Sequence, residues 1–495
     1  MCDQSPGLFT KIMEATVNPL KKSSDNNLWL LWIIGCINKY TIVFEIGDAF
    51  RLQINPLPYL NKTKNCIFTT MRVIHLNTYD GNGGAGRASY RLNNALKNAG
   101  INSDLYTYIK LGKRKDIHSL YPGPIQKFFA TLRILAERYL PRFYEKDLKV
   151  PFSLSFFGKD IHHHPELLKA DIIHLHWINH GFLNPADLAK LALLNKPIVW
   201  TMHDSNVFTG GCHVRFGCQN YITHCGFCPL LKDPETDDIS HRTWERKKQA
   251  YEKLNATFLG PSNWLTKAAK ESGLLKNKAV YTIPNTLETD IFKPLDKKTA
   301  RESLGLKPDD FILLSGFMPS KKDAHKGTPY LVDAVDLWLA KNPELAEKVT
   351  LVVFGNRNKQ LPPPFKISVK FLGTINNDEA LAQAYAVADA YLTTSLDDNL
   401  PNTVMESLAC GTPVISFETG GIPDMVEHQK NGYLAKYKDA EDFMQGLSWI
   451  YQHPDKQTLS ENARRKVMES FSEEVIATQH IRLYKSLLNQ PDGDL

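Results

Sequence analysis

Ser395–Val426, SLDDNLPNTVMESLACGTPVISFETGGIPDMV, is the stretch on which the reading of this chain turns. It leaves an apolar, strand-like run, AYLTTS, through an acidic loop, and a helix is expected to begin near Pro401. Asp398 lies in the loop and Glu406 lies in the first turns of the helix, eight positions on. Gly411, Pro413, a second apolar strand (VISF) and the double glycine Gly420–Gly421 follow. A helix N-terminus offers unpaired N–H groups and a positive dipole end, which suit a diphosphate. Carboxylates beside it can accept hydrogen bonds from sugar hydroxyls. The pattern predicts a site for a nucleotide-linked sugar.

These residues resemble the E-x(7)-E region of glycosyltransferase family 4, enzymes of the two-domain GT-B fold. Asp398 stands where the family has a longer Glu, and Glu406 matches the second acid. The resemblance runs from about Met71 to Leu488 and implies α/β architecture: two Rossmann-like domains facing each other across a cleft. It also implies a reaction, transfer of a hexose-type sugar from a nucleoside diphosphate to a hydroxyl of a glycan or lipid-linked glycan. Retention of configuration and no cofactor required for catalysis come with it. The expected setting is cytoplasmic polysaccharide or exopolysaccharide biosynthesis, with peripheral contact at the inner face of the membrane. The alternatives are a GT-B epimerase or phosphorylase, and a non-catalytic sugar-nucleotide-binding protein.

Composition agrees. A chain of 495 residues exceeds the usual single core, so two domains are expected. Its 43% hydrophobic and 23% charged content is that of an ordinary globular protein. The net charge of +6 lacks the dense basic stripes of a nucleic-acid binder. Residues 1–70 do not match the rest. The apolar run Leu28–Ile37 falls short of the roughly 20 residues of a membrane span. The simplest reading makes Met71 the working start and 1–70 an upstream extension, with a membrane-associating arm as the alternative.

From Met71, short β-rich runs alternate with amphipathic segments: VIHLN, DLYTYI, DIIHLHWI, PIVWTMH and ATFLG, then FILLSGFM, TLVVFGN, SVKFLGT, AYLTTS and PVISF. Two such series predict two parallel sheets covered on both faces. The expected domains are 71–280, with a Cys-rich insert at 210–230, and 281–472. A terminal helix over 473–495 is expected to cross back to the first domain.

Residues Gly81, Gly83 and Gly86 of DGNGGAGR satisfy G-x-G-x-x-G, and Asp104 follows near the place of a ribose-binding acid. Taken alone, this points to a dinucleotide. Thr78, Tyr79 and Asp80 are expected to separate strand from glycines, looser than that fingerprint prefers. The family resemblance instead lays the loop over the cleft, with Gly84 toward the donor and Gly83 and Arg87 toward the acceptor.

The resemblance also assigns donor contacts to Lys326, Gly316, Asn399, Leu400, Pro401 and Asn402. The Arg that the family carries after the first strand of its second domain is missing, and Lys321, Lys322 or His325 are candidates to compensate. His203 is expected at a strand end near the transferred sugar, with Asp204 on the acceptor side fixing its tautomer. Together His203, Asp398 and Glu406 form the expected catalytic set. His174 and His176 alternate on one strand and are expected to support the site from behind.

Four of the eight cysteines crowd into CHVRFGCQNYITHCGFC: Cys212, Cys218, Cys225 and Cys228. The closing C-x-x-C has metal-ligand spacing, and four thiolates suit a structural zinc. Two disulfides or a packed set of free thiols remain open.

Overall fold

The computed structural model describes residues 40–44, 52–56, 71–81, 83–112, 114–146, 151–316, 326–355 and 365–490. The chain divides into Met1–Thr69 and Thr70–Leu495. In the first unit, β1 (Tyr40–Phe44) pairs antiparallel with β2 (Leu52–Pro56). Most of the expectations for 1–70, and Lys321, Lys322 and His325, lie outside the described residues.

The second unit holds two parallel sheets. In the first, β3 (Arg72–Tyr79), β4 (Asn102–Ile109), β5 (Ile117–Ser119), β6 (Ile172–Leu175), β7 (Ile198–Thr201), β8 (Ala256–Gly260) and β9 (Ala279–Thr282) lie in the order β5-β4-β3-β6-β7-β8-β9. In the second, β10 (Phe311–Gly316), β11 (Val349–Phe354), β12 (Ser368–Gly373), β13 (Ala390–Thr393), β14 (Val414–Phe417) and β15 (Gly432–Ala435) lie in the order β12-β11-β10-β13-β14-β15. Both orders reverse direction once, between β3 and β6 and between β10 and β13. In open parallel sheets the crevice at that reversal, beyond the carboxyl ends of the strands, is where ligands bind. The glycine loop and the Asp398 loop leave these reversal points.

Central strands are buried on both faces, as continuous runs such as IIHL (β6) and VISF (β14) require. Three strands escaped the pattern: β5, β9 and β15 are short, and only Val280 of β9 is buried. Because β9 runs to Thr282, the first sheet extends past the expected boundary at 280. The terminal helix, Glu473–Leu487, packs Ile476, Ile481 and Tyr484 into the first domain's core beside Val73, Leu92 and Val199. The Tyr484 hydroxyl is hydrogen-bonded to His174 Nδ1 at 2.6 Å.

The glycine turn corrects the spacing argument. β3 continues through Thr78 and Tyr79, so only Asp80 precedes Gly81. The helix Gly83–Asn98 begins at once, with Gly81 and Gly83 both at positive φ. Asp104 sits near the start of β4, the wrong end of a parallel strand for a nucleotide, and is paired with Arg72 and Lys97. It is not a ribose ligand.

Candidate active site

Loops following β3, β7, β10 and β13 meet around one cavity of about 490 Å³. Its lining brings together Gly83, Gly84, Arg87, His203, Asp204, Lys326, Asp398, Asn399, Leu400, Pro401, Asn402 and Glu406. Gly316 is not among these; the Phe354 ring fills the space a Cβ there would take, 2.4 Å away. The side chain of Leu400 belongs to the second domain's core, so only its backbone can serve a ligand.

The Asp398 loop is held by close backbone packing. At Gly420, φ is +57° and a Cβ would lie 1.8 Å from the Asp398 carbonyl oxygen. One at Gly421 would lie 1.8 Å from that of Asn399. The double glycine therefore seats the loop. Helix Asn402–Ala409 starts behind Pro401 with no side-chain cap, leaving its first N–H groups toward the cavity. The carboxylate of Asp398 is paired with Lys326 Nζ at 3.0 Å. The Asn399 side chain reaches across the cleft, donating to the carbonyls of Met202 and His203 at 3.3 and 3.2 Å and accepting from Ser262. Asn402 makes a longer crossing, 3.5 Å to the Gly84 carbonyl.

Glu406 has no solvent exposure. Its Oε1 lies 3.0 Å from Arg91 Nη1 and 3.4 Å from Arg87 Nη1, both from the first domain. Oε2 accepts from the Tyr385 hydroxyl at 3.0 Å. Burial, reinforced by Glu406, raises the Tyr385 hydroxyl well above its usual range, so it stays a donor. Arg91 is itself 1% exposed and also meets Glu288 at 2.6 Å. Arg91 and Tyr385 were not legible in the sequence as site residues; an Arg at a core position of an amphipathic helix was the available signal.

His203 lies at the end of β7 with part of its surface open to the cavity. Its ring is hydrogen-bonded not to Asp204 but to His176 Nδ1, at 3.1 Å. His176 Nε2 continues to His75 Nδ1 at 2.9 Å. The expected tautomer partner is thus corrected: neighbours at a strand end project to opposite sides, and Asp204 turns away. There its Oδ2 pairs with His213 Nδ1 at 2.6 Å and accepts from Trp177 Nε1 at 2.8 Å, while Oδ1 caps Asn206. Despite burial, these partners hold the Asp204 carboxyl below its ordinary range. His213 comes from the Cys-rich segment, which also sends Arg215 and the Phe216 backbone to Asp397, whose carboxyl burial raises to about 6.

The four cysteines form no disulfide and line one small cavity of about 20 Å³. Cys225 Sγ accepts from the Gly210 N–H at 3.1 Å. Burial pushes three of these thiols up: Cys225, Cys212 to about 12 and Cys228 to about 11. Among the described residues, one group of three metal-ligating side chains has donor atoms mutually within 4.8 Å: His75, His174 and His176. Both ring nitrogens of His174 are hydrogen-bonded, to Tyr484 and Thr201, and so are both of His176. His75 and His176 are hydrogen-bonded to each other, whereas His174 stacks on His176 and spends both nitrogens elsewhere. His75 Nε2 has no hydrogen-bond partner among the described residues.

A pair of doubly wound domains with a cleft at their switch points is a two-domain α/β ligand-binding architecture. Residues 311–453 match the family described as Glycosyl transferases group 1. A putative colanic acid biosynthesis glycosyl transferase, WcaC of Escherichia coli, is 24% identical over 430 residues, covering 84% of this chain and 100% of the relative. N-acetyl-alpha-D-glucosaminyl L-malate synthase of Bacillus anthracis is 26% identical over 220 residues, 43% of this chain; the match spans only about half, 55%, of that relative. Among solved structures, Anabaena Alr3699/HepE in complex with UDP aligns with a TM-score of 0.57 at 17% identity, over 84% of this chain and 100% of that one. The chain has the GT-B fold and its second domain carries a Glycosyl transferases group 1 domain, and the dinucleotide reading of Gly81–Gly86 is set aside.

Two predictions follow from this geometry. Glu406→Gln keeps the shape but removes the charge that neutralises Arg91, while Glu288 remains. It is expected to destabilise the fold by about 3 kcal/mol, measured by urea unfolding; an unchanged midpoint would show the ion pair to be dispensable. The second concerns pH. Burial holds His75 and His180 down to about 3, and His203 and His480 to about 4. Unfolded histidines titrate near 6.5, so below that pH the unfolded chain binds protons that the fold rejects. Stability is therefore complete above pH ~6.5 and declines toward pH ~4, by about 1.4 kcal/mol per pH unit for each such histidine. Urea midpoints across that range should fall steeply, and a flat profile would contradict neutral buried imidazoles.

Proposed function

We propose that the protein transfers a hexose-type sugar from a nucleoside diphosphate to a hydroxyl of a glycan or lipid-linked glycan, with retention of configuration, in polysaccharide assembly. The observation that carries this is the convergence of Lys326, the Asn402 helix N-terminus and His203 on one cavity between two switch points. The diphosphate would sit against the helix N–H groups and displace Asp398 from Lys326, freeing that carboxylate for sugar hydroxyls. Glu406 would meet the ribose at the edge of its arginine cluster. In the transfer the C1–O bond to the diphosphate breaks and a C1–O bond to the acceptor forms. The acceptor's proton passes to the departing phosphate oxygen. Fixed N–H groups and one cation stabilise that oxygen as charge develops on it. His203, neutral at pH 7, would hydrogen-bond the sugar or acceptor without adding a charge beside it.

Of the four cavity carboxylates, Asp398 alone would change partner when the donor binds; engagement of the other three by protein groups supports retention without a covalent sugar–enzyme bond at any of them. Asp204 is taken by His213 and Trp177, Glu406 by Arg91, and Asp397 by Arg215 and the Phe216 backbone. A panel of nucleoside diphosphate sugars, followed by thermal stabilisation and diphosphate release, tests the reading: one donor should respond. With that donor, Lys326→Ala should raise KM at least about tenfold, as loss of a charge-assisted contact predicts. Silence toward every donor would refute the proposal.

We further propose that Cys212, Cys218, Cys225 and Cys228 hold a structural zinc. The four thiols share one cavity, but no three of their sulfurs lie within 4.8 Å of one another, so zinc would have to draw them together. The buried Lys247 ammonium, whose charge reaches Cys225 and Cys212, would offset a tetrathiolate's excess negative charge. Metal analysis of the purified protein should give near-stoichiometric zinc, and a chelator should lower the thermal midpoint. Metal-free protein of unchanged stability would leave four packed thiols.

A further inference from the structure

The helix Pro124–Tyr139 has two apolar faces but only one of them is inside the protein. Ala130, Ile134 and the Glu137 stem make the buried stripe. Ile125, Phe128, Phe129, Leu132, Leu135 and Tyr139 recur at helical spacing on the other side, and all are exposed, Ile125 at 72%. Phe143, at 73%, and Tyr144 extend the patch beyond the helix. A run of eight large exposed apolar side chains within one segment is more than scattered surface residues account for.

The exposed charges of this segment itself have one sign, while the adjoining stretch after Lys232 carries the exposed acids Asp233, Glu235 and Asp237. Lys127, Arg138, Arg142 and Lys146 are exposed. The segment's two acids are not: Glu137 is 1% exposed and accepts from the N–H groups of Ser155, Phe156 and Phe157, and Glu145 is 8% exposed. Every exposed charge from Pro124 to Lys146 is therefore positive. The patch is also anchored. Lys146 N donates to the Leu230 carbonyl and Lys232 N to that of Tyr144, each at 2.8 Å, tying the segment to the end of the Cys-rich insert.

We propose that this surface docks the enzyme onto an anionic lipid bilayer. An apolar stripe whose own exposed charges are all cations is the composition of a helix that lies in a membrane interface. A soluble protein partner would more commonly meet it with mixed charges. The location gives docking a use. The Arg138 charge reaches Tyr79 and His180, which are hydrogen-bonded to each other at 2.9 Å. Tyr79 stacks on Trp177, and Trp177 donates to Asp204 at the wall of the cavity. A bilayer on this face would present a membrane-borne acceptor to the acceptor side of the cleft.

Cosedimentation of the full-length protein with vesicles tests the proposal. Binding is expected to vesicles of equimolar phosphatidylglycerol and phosphatidylcholine, weakened by salt, and much less to phosphatidylcholine alone. A Phe128→Ser/Leu132→Ser/Phe143→Ser variant and an Arg138→Glu/Arg142→Glu variant should each bind at least about tenfold more weakly. Both should keep the wild-type thermal midpoint and donor response; if the apolar variant misfolds, the charge variant decides. Wild-type protein left in the supernatant would overturn the proposal, as would variants that sediment undiminished. So would a dimer that the apolar variant dissociates while vesicle binding is absent. Vesicle binding is read without turnover, so its failure and the failure of the transfer reading are separate results.

Discussion

A carboxylate with no solvent exposure stays charged only if the protein supplies cations, and Glu406 draws them from the opposite domain. Arg91 is as deeply buried and faces Glu288 as well, so neither partner can be left alone cheaply. The fold is thereby obliged to bring the helix after β3 against the helix after β13. Asn399 and Asn402 add neutral links along the same seam. The cleft exists in its observed width because these contacts hold its floor while its mouth stays polar and open.

That constraint changes how the acidic pair should be understood. Spacing in the sequence makes Asp398 and Glu406 look equivalent, two acids framing a helix start. The structure gives them different surroundings. Asp398, a fifth exposed and paired with Lys326, can exchange partners when an anion arrives. Glu406, sealed between Arg91 and Tyr385, is fixed before any ligand enters. A nearby hydroxyl would meet a preoriented acceptor at the second acid and a displaceable one at the first.

Much of the architecture was legible because parallel strands buried on both faces are written as unbroken apolar runs. The exceptions share their shortness: β5, β9 and β15 are three or four residues long at sheet edges, and β5 and β9 bury only one residue each. That the loops after strands would carry His203 and Asp398 to the cavity was readable from sequence position together with the family resemblance. Their partners were not. His176 and His75 contact His203 through pairing between strands distant in sequence, and Arg91 reaches Glu406 across more than three hundred residues. The Asp204 expectation failed for a local reason, since adjacent side chains at a strand end diverge and His213 claimed the carboxylate.

The Cys-rich segment connects these observations. It is a loop with little regular structure, yet its residues meet Asp204 through His213, Asp397 through Arg215 and Phe216, and the exposed apolar patch through Leu230 and Lys232. A loop has no backbone ladder to hold three such positions at once, and each contact alone is modest in energy. Its order must come from cross-links between its own residues or from burial. Burial supplies part of it, through His213, Tyr221, Cys225 and Cys228, and hydrogen bonds such as Arg215 to the Tyr221 hydroxyl and Asn220 to the Gly226 carbonyl supply more. The four thiols sit in the middle of this held segment, so a change in their chemical state would act on the cleft through His213 and Arg215.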